Sequence, residues 1–350
     1  MIATKTMNLE RFLDRLYGGV RTHLVDPATI PCIETSDSER LCRNPLVSVR
    51  LVTYNHEPYI RKCLESVVNQ KTDFEYEVVV GEDRSQDKTR EICFEFQRRY
   101  PEKVRVLWVH ENVYKFGGNQ TRTAYRCRGE YIAYLEGDDY WTDVWKLQKQ
   151  VDLMRKTNAI CCVANFNTLY LDGRVTHSGY RANGRAFSHD DMFHFYPHTS
   201  TYLVKRETRD AWRNVYPGIR AGYDVIFLHC LISMGKVVML EDVVSTYRLT
   251  GVGIATSLSG QEKQILAVKQ YLDLYLHGPK SCHRRFGSQV MTYIAYFFNR
   301  STPGWSKELT KEYKKDFSRA FWTIYWRQPF DLRTIRALLR YLRFRIGFTK

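Results

Sequence analysis

The sequence feature that most constrains this chain is an acidic turn directly after a short apolar segment. Residues 131–135 have the β-branched and aromatic content of a buried strand, and the chain continues with Glu136, Gly137, Asp138 and Asp139. Carboxylates this close repel one another unless a cation lies between them. Oxygen ligands favour a hard divalent ion, Mg²⁺ or Mn²⁺, that keeps coordination positions for substrate phosphates. The turn predicts a metal site; the alternative is an acidic turn that caps the next helix.

A second acidic turn follows another predicted strand upstream. The valine-rich residues 76–81 predict a strand buried on both faces, and Glu82 and Asp83 follow it. Strands are also predicted at 47–53 and 104–109, with helical patterns between them. This alternation indicates an α/β fold with a mostly parallel sheet and right-handed crossovers. Because ligands bind at the carboxyl ends of such strands, we expect both acidic turns at one edge of the sheet.

Downstream of the 136–139 turn, the pattern predicts further strands and a polar loop. Two strands are predicted at 159–165 and 168–171, and Asp172-Gly173 is predicted to form the turn of a hairpin. The loop that follows contains a cluster of potential metal ligands, namely His189, Asp190, Asp191 and His194. Their spacing matches no familiar metal site, so we interpret the cluster as a solvated loop on the acceptor side.

The composition limits the partners and the compartment. The formal net charge of +15 predicts anionic partners, such as nucleotide phosphates or acidic lipid headgroups. No signature of a known nucleic-acid-binding module occurs, so nucleic acid is not an expected partner. The 9 cysteines form no C-x-x-C pair, and no apolar stretch is long enough to span a bilayer. We therefore expect a cytoplasmic protein with reduced cysteines.

Missing motifs exclude two common classes of nucleotide-binding enzyme. No G-x-G-x-x-G follows the first strand, and no G-x-x-x-x-G-K-[ST] occurs, which argues against dehydrogenases and P-loop enzymes. A nucleotide held without a glycine-rich loop needs another anchor for its phosphates, and a metal on Asp138 and Asp139 would provide one. Two alternatives stay open: a sugar-phosphate nucleotidyltransferase, although its G-x-G-T-R-type loop is missing, and a non-catalytic protein that binds glycans or anions.

Four motifs together resemble the family 2 glycosyltransferases of bacterial polysaccharide synthesis. They are the segments 47–55, 66–70, 82–87 and 136–139, which occur in the order and spacing of that family. The resemblance covers about residues 45–255 and implies the GT-A fold, a Rossmann-like α/β architecture with helices flanking a mostly parallel central sheet. It implies a metal-dependent, inverting transfer of a sugar from a nucleotide diphosphate donor, a UDP-sugar, to a hydroxyl of a glycan or lipid-linked glycan.

The resemblance also implies roles for particular residues at the donor site. Thr53 and Tyr54 match positions that line the base and ribose, although a strand residue and an edge aromatic would explain them equally simply. Asp83, with Glu82 beside it, matches the acid that accepts a hydrogen bond from the base. The resemblance also implies a metal site that would hold Mn²⁺ or Mg²⁺. Asp138 matches the last acid of the family's D-x-D motif, Glu136 matches its first acid, and Asp139 would be an outer contact.

Four more residues are candidates for catalysis or substrate contact. Asp224 precedes a predicted helix where the family carries its general base, but an acid at this place also serves as a helix N-cap. His198 begins a His-Thr-Ser segment that the family often has beside the donor, and a structural histidine is the alternative. Arg248 can contact phosphate or pair with an acid, and Asn119 is a further candidate for a substrate contact.

The ends of the chain are predicted to lie outside the transferase domain. We expect an appendage over 1–45, the GT-A domain over 46–255 and a helical region over 256–350, with helices near 260–277, 282–299, 306–326 and 331–345. The last helix combines an apolar stripe with adjacent arginines, and aromatic residues precede it. Residues 321–350 therefore predict either peripheral binding to an anionic membrane surface or packing on the core with a solvated arginine face.

Overall fold

The computed structural model describes residues 2–18, 26–113, 118–216, 218–220, 224–251, 257–329 and 331–346. The chain divides into two compact units. The larger unit comprises Thr22–Val215 and Cys230–Thr250, and the smaller one comprises Met1–Arg21, Tyr216–His229 and Gly251–Lys350. This division differs from the predicted boundaries, because the first residues of the chain belong to the same unit as the C-terminal helices.

The larger unit is built on one sheet, to which the described residues contribute ten strands. The strands are β1 Ile33–Thr35, β2 Val47–Thr53, β3 Tyr76–Glu82, β4 Val104–Trp108, β5 Tyr131–Glu136, β6 Tyr140–Trp141, β7 Cys161–Leu169, β8 Val175–His177, β9 Leu203–Lys205 and β10 Val237–Arg248. Their spatial order is β1-β4-β3-β2-β5-β9-β7-β10-β6, with β8 paired to β7.

The centre of the sheet is parallel, as predicted. Strands β4, β3, β2 and β5 run parallel to one another, and β7 and β10 form a second parallel pair. Every residue of β2 and β3 is buried, which explains why these strands are continuous apolar runs rather than alternating ones. The mostly parallel α/β architecture expected from the sequence is therefore confirmed.

Helices cover the sheet in the larger unit. They are α2 Glu57–Val68, α3 Thr89–Arg99, α4 Gly118–Tyr125, α5 Lys146–Thr157 and α6 Thr208–Val215, and α7 Asp224–Met234 follows them in the chain. Helix α2 buries the stripe predicted from its spacing, namely Ile60, Cys63, Leu64, Val67 and Val68. Pro58 lies in its first turn, where the missing backbone N–H has no intrahelical partner to lose.

One pair of predicted strands is a single strand in the structure. The segments 159–165 and 168–171 were expected as two strands, but they form one long strand, β7. Strands β7 and β10 pair in parallel along their whole length, and register shifts near Val243 absorb the irregular pattern. The hairpin at Asp172-Gly173 is confirmed, because Leu169 pairs with Val175 and Gly173 has a φ of 83°.

The segment expected to be an appendage joins two different structures. Helix α1 (Ile2–Leu16) belongs to the smaller unit, whereas β1 is an edge strand of the sheet and pairs antiparallel with β4. Glu34 of β1 accepts hydrogen bonds from the buried Arg105 of β4 at 2.8 and 2.9 Å. A charge pair that closes a sheet edge has no periodic pattern in the sequence, so nothing in the pattern indicated that this part of the expected appendage joins the sheet.

The smaller unit is helical. After α1 it contains α8 Gly260–His277, α9 His283–Phe297, α10 Lys307–Tyr325 and α11 Leu332–Ile346, close to the predicted bounds. The buried Arg220 holds α1 in this unit by donating to Glu10 at 2.8 Å and to Asp14 at 2.9 Å. Within the described ranges, no helix is both long and apolar enough to cross a membrane.

Helix α11 packs through a different face from the one its apolar pattern suggests. Thr334, Ala337 and Tyr341 are buried, and the Tyr341 ring stacks on Phe321 with 4.1 Å between centroids. The predicted apolar face does not form the main packing contact, since Leu332 at its start is exposed.

Candidate active site

The two acidic turns meet at the carboxyl ends of three neighbouring strands. In the parallel register, Thr53 of β2 is level with Glu82 of β3, and Val52 is level with Glu136 of β5. Backbone hydrogen bonds continue past the strands, because Asp83 donates to the Thr53 carbonyl at 3.2 Å and Gly137 donates to the Val52 carbonyl at 2.8 Å. The sheet thus places both turns beside the end of β2.

A glycine is required where the second turn passes the end of β2. A Cβ atom on Gly137 would lie 2.5 Å from the Thr53 hydroxyl and 2.8 Å from Nδ1 of His56. Thr53 and His56 also contact each other, with 3.2 Å between the hydroxyl and Nδ1. Any larger residue at 137 would push the acidic turn away from β2.

The first acid of the turn, Glu136, is held by the protein. Its Oε1 accepts a hydrogen bond from Arg50 at 3.1 Å, and its Oε2 accepts one from the Thr199 hydroxyl at 3.2 Å. Arg50 is buried in β2, so the ion pair fixes the carboxylate against the strand. These two contacts make Glu136 a support for the turn, and its role as a metal ligand stays a prediction.

Asp139, the residue that ends the acidic turn, is almost completely buried. Its Oδ1 accepts the backbone N–H of Arg248 at 2.8 Å, and its Oδ2 lies 3.6 Å from Nδ1 of His198. Burial raises the pKa of Asp139 well above its ordinary value, and the charges of Asp138 and Glu136 raise it further. The turn therefore carries more negative charge than its protein surroundings compensate.

Unlike its neighbours, the Asp138 carboxylate has a single charged or chargeable side chain near it, and that side chain is barely within ion-pair distance. His56 Nε2 lies 3.9 Å from its Oδ2, and burial lowers the pKa of that histidine and favours its neutral form. Among the described residues, no three His, Cys, Asp or Glu side chains converge to hold a metal by themselves. The donor set fits an ion that takes one or two carboxylate oxygens and completes its shell with phosphate and water.

Arg248 lies directly against this turn. Its guanidinium donates to the Asp138 backbone carbonyl at 2.7 Å and lies over the rings of Tyr140 and Tyr59, 4.5 and 5.3 Å from their centroids. Of the two alternatives for Arg248, an ion pair with a carboxylate is not seen among the described residues, and contact with a phosphate stays a prediction. The aromatic rings hold a positive charge beside the acidic turn.

His198 begins a tight turn that completes the site wall. The 3₁₀ turn Thr199–Thr201 follows it, and its Nδ1 accepts the Ser200 N–H at 3.3 Å. The ring stacks on Tyr247 with 4.2 Å between centroids. Burial lowers the pKa of His198 to about 3, so the imidazole is neutral and carries its proton on Nε2.

A buried lysine supports the same turn from behind and was missed by sequence reasoning. Lys146 Nζ donates to Gln150 Oε1 at 2.7 Å and lies 4.2 Å from the centroid of Trp141. Gln150 donates to the Thr201 carbonyl at 2.7 Å, and Trp141 donates to the Ser200 carbonyl at 2.9 Å. A lysine at the start of a helix resembles a solvated residue in the sequence, so nothing in the pattern distinguished it.

Replacing Lys146 by Met is expected to flatten the pH dependence of stability. Burial lowers the pKa of Lys146 from 10.5 to about 7, so between these values the unfolded chain binds the extra proton. The wild type should therefore gain stability with rising pH, relative to Lys146→Met, by about 1.4 kcal/mol per pH unit. Thermal unfolding at about pH 7 and about pH 9 measures this difference.

The exposed Lys156 on the same helix provides the matched control. Lys156→Met should keep the wild-type slope of stability against pH. If Lys146→Met and the wild type had equal slopes of stability against pH, the lowered pKa of the buried Lys146 would be wrong.

At the turn after β3, Asp83 is buried, and Tyr54 after β2 is exposed. The Asp83 Oδ1 accepts the Val113 N–H at 2.9 Å, which orients the carboxyl group. Glu82 has a structural role, because it accepts hydrogen bonds from Arg90 at 2.5 Å and from the Ser85 N–H at 2.6 Å. These bonds stabilise the turn, and direct contact of Glu82 with a nucleotide stays a prediction.

Asn119 is also part of the support rather than of an open surface. The buried amide donates to the Gly81 carbonyl at 2.9 Å, and its oxygen accepts from the buried Arg122 at 2.9 Å. Arg122 in turn donates to the Glu82 carbonyl at 2.7 Å. Asn119 therefore supports the end of β3, and a contact with substrate stays a prediction.

Two other predicted features have different outcomes. Asp191 is buried and accepts hydrogen bonds from Arg185 and Ser188 at 2.6 Å, and these bonds lower its pKa although burial alone would raise it. At this residue the loop is therefore packed rather than solvated, which differs from the interpretation of the cluster as a solvated loop. Asp224 is exposed and is the first residue of α7. An N-cap side chain accepts an N–H two or three residues further along the chain, whereas Asp224 is already the first helical residue. The residues before it, 221–223, lie outside the described residues, and its role as a base stays a prediction.

Comparison with known proteins identifies the family of this chain. The family model of glycosyl transferase family 2 matches residues 48–222, which is half of the chain. The chain belongs to glycosyltransferase family 2. The matched region contains the ends of β2, β3 and β5 and therefore both acidic turns.

Individual relatives of this family 2 member match over shorter stretches. An uncharacterised protein of Mycobacterium tuberculosis is 38% identical over 128 residues, 36% of this chain and 37% of the relative. The dTDP-rhamnosyl transferase RfbG of Shigella flexneri is 31% identical over 165 residues, 45% of this chain and 54% of the relative. The chain thus spans between about a third and about a half of these relatives.

A solved structure supports the GT-A fold of this family 2 member. Residues 1–349 of S. aureus TarS, solved in complex with UDP-GlcNAc, superpose with a TM-score of 0.59 at 17% sequence identity. The match covers 85% of this chain and 89% of the TarS chain. At this level of identity the likeness confirms the GT-A fold.

Proposed function

We propose that this protein is a metal-dependent, inverting glycosyltransferase of cell-surface polysaccharide synthesis. It would transfer a sugar from a pyrimidine nucleoside diphosphate donor, first of all a UDP-sugar, to a hydroxyl of a glycan or lipid-linked glycan. The observation that carries the proposal is the meeting of the 82–87 and 136–139 turns at the end of β2. One turn offers an oriented carboxyl group for a base, and the other offers uncompensated carboxylates for a metal–diphosphate group.

Each part of the donor has a proposed partner in the larger unit. Tyr54 offers an exposed ring to the base, and Asp83 accepts a hydrogen bond from an N–H of the base. Asp138 would hold the cation, with Glu136 and Asp139 fixing the turn around it. A divalent ion bound there supplies positive charge that stabilises the departing nucleoside diphosphate.

Two further residues are proposed to act on the diphosphate and sugar. Arg248 holds a positive charge at the acidic turn and is suited to a phosphate oxygen. His198, neutral and with its proton on Nε2, can donate one hydrogen bond to the donor. The proposed base is Asp224, which would take the proton of the acceptor hydroxyl as the new glycosidic bond forms.

Nucleotide titration with and without Mn²⁺ tests this proposal directly. Because the Shigella relative is named for transfer from dTDP-rhamnose, UDP and dTDP are both titrated by calorimetry, with GDP as the purine control. We expect UDP or dTDP to bind in the presence of Mn²⁺ and to bind much more weakly after chelation of the metal. The bound nucleotide then selects the sugars for a donor-hydrolysis screen.

The other outcomes separate the alternatives. GDP binding alone would keep the transferase and change the donor class. Binding of no nucleotide would overturn the proposal and favour a non-catalytic glycan- or anion-binding protein. Membership of family 2 argues against the nucleotidyltransferase alternative, and pyrophosphate release from a nucleoside triphosphate would be needed to restore it.

A further inference from the structure

Helix α11 of the smaller unit presents an apolar stripe to solvent. Leu332 and Leu339 are 72% and 62% exposed, and Ile335 and Leu342 are half-buried. Their spacing of three, four and three residues puts them on one side of the helix. This side lies opposite the buried face that contains Thr334, so the helix is anchored in its unit while the stripe stays accessible. Exposed apolar surface of this kind indicates an interaction site.

The stripe is bordered by uncompensated positive charge. Six arginines and a single acid, Asp331, occur between residues 326 and 346. Four of these arginines lie on α11 with exposed side chains, namely Arg333, Arg336, Arg340 and Arg343. Within the ranges that the structure describes, none of the four forms an ion pair, and the Arg340 guanidinium lies over the Tyr296 ring at 5.5 Å from its centroid. The surface therefore fits an anionic partner.

An exposed tryptophan stands shortly before this helix. Trp326 is 65% exposed at the end of α10, and its ring lies 5.1 Å from that of Tyr325 and 6.5 Å from that of Trp322. Amphipathic aromatic rings are enriched at the level of lipid headgroups. Exposed leucines, arginines and a tryptophan are the three residue types that segments lying in a membrane interface combine.

We propose that Trp326, Leu332, Leu339 and the arginines of α11 form a docking surface for an anionic phospholipid bilayer. A second copy of the chain is a poorer occupant, because in a symmetric contact the same arginines would face one another. A bilayer instead supplies an apolar layer for the leucines and phosphate groups for the arginines. The docked enzyme would meet a lipid-linked acceptor at the surface, which deepens the proposed function, while docking itself does not depend on the donor site.

Sedimentation with lipid vesicles tests this surface. The full chain is mixed with vesicles of phosphatidylglycerol and phosphatidylcholine, and separately with pure phosphatidylcholine vesicles. We expect binding to the anionic vesicles that weakens as salt is added. Leu332→Ser/Leu339→Ser should lower the partition coefficient by about tenfold or more, and Arg336→Gln/Arg343→Gln by roughly twentyfold. These residues are exposed, so both variants should keep the wild-type melting temperature.

Leu171→Ser is the matched control, because Leu171 is 76% exposed on the β7–β8 hairpin of the larger unit. It should bind vesicles like the wild type. Equal binding to both kinds of vesicle, or unchanged binding of the leucine variant, would overturn the proposal. So would a dimer in lipid-free light scattering that the leucine substitutions dissociate. Nucleotide titration of the same variants separates the two hypotheses, since loss of docking should leave nucleotide binding intact.

Discussion

Asp138→Asn is expected to abolish metal-dependent nucleotide binding and to reduce sugar transfer by about a thousandfold. The Asp138 carboxylate is the one in the acidic turn that Arg50 and the Arg248 backbone do not hold. An amide is a much weaker ligand for Mn²⁺ than a carboxylate, and the substitution removes one charge without changing the volume of the side chain. The loss should therefore appear in binding and catalysis rather than in folding.

Calorimetry with the selected nucleotide and Mn²⁺, followed by a donor-hydrolysis assay, measures this effect. Asp172→Asn is a suitable control, because Asp172 is an exposed acid on the β7–β8 hairpin. It should bind and hydrolyse the donor like the wild type. If Asp138→Asn retained metal-dependent binding within a few fold, the acidic turn would be structural and the proposed donor site would be wrong.

Asp138→Asn can also be compared with substitutions of its two neighbours. Glu136→Gln loses the ion pair with Arg50, and Asp139→Asn puts an amide where the Arg248 N–H is accepted. Both changes should alter the melting temperature as well as activity, because both side chains are part of the packing. A loss of activity without a change in stability is expected for Asp138 alone of the three.

Asp224→Asn is expected to lower kcat by a factor of about one hundred to ten thousand and to leave nucleotide binding unchanged. A general base acts on the acceptor hydroxyl, so its removal affects the chemical step and not the affinity for the donor. Asp224 is exposed at the first residue of α7, where an asparagine fits the same space. The substitution should therefore leave the fold intact.

The acid at the start of α11 is the matched control for this experiment. Asp331 accepts the N–H of Arg333 at 2.9 Å and that of Thr334 at 3.2 Å, so it caps a helix. Asp331→Asn should change neither kcat nor nucleotide binding. If the kcat of Asp224→Asn stayed within about threefold of the wild type, Asp224 would have only a structural role at the start of α7. The general base would then be another residue.

The parallel sheet and its acidic edge could be predicted because their signals are local. The continuous apolar run of β2 and the valines of β3 require burial on both faces, and that burial is what a parallel sheet with helices on both sides provides. Gly137 and the carboxylates beside it follow a strand directly, so their position at the sheet edge follows from chain order. The family resemblance rests on these same short segments.

The prediction failed where strands and charges depend on distant partners. The break expected at residues 166–167 does not occur, because Phe166 and Asn167 pair with Ser245 and Thr246 of β10. Likewise, nothing in the sequence predicted that Asn119 would hydrogen-bond to Arg122 and to the end of β3. Local propensity carries no information about a neighbour that lies so far away in the chain.

The strand–helix order, the two acidic turns and their chemistry follow from residues adjacent in the chain and could be read from it directly. Which carboxylate of the second turn is left without a hydrogen-bonding partner from Arg50 or the Arg248 backbone depends on the folded chain, because those two residues come from other strands. The tertiary structure also buried Lys146 behind the site and left Leu332 of α11 in solvent. Burial and charge compensation are sums over all neighbours in space, and spatial neighbours are fixed only when the chain has folded.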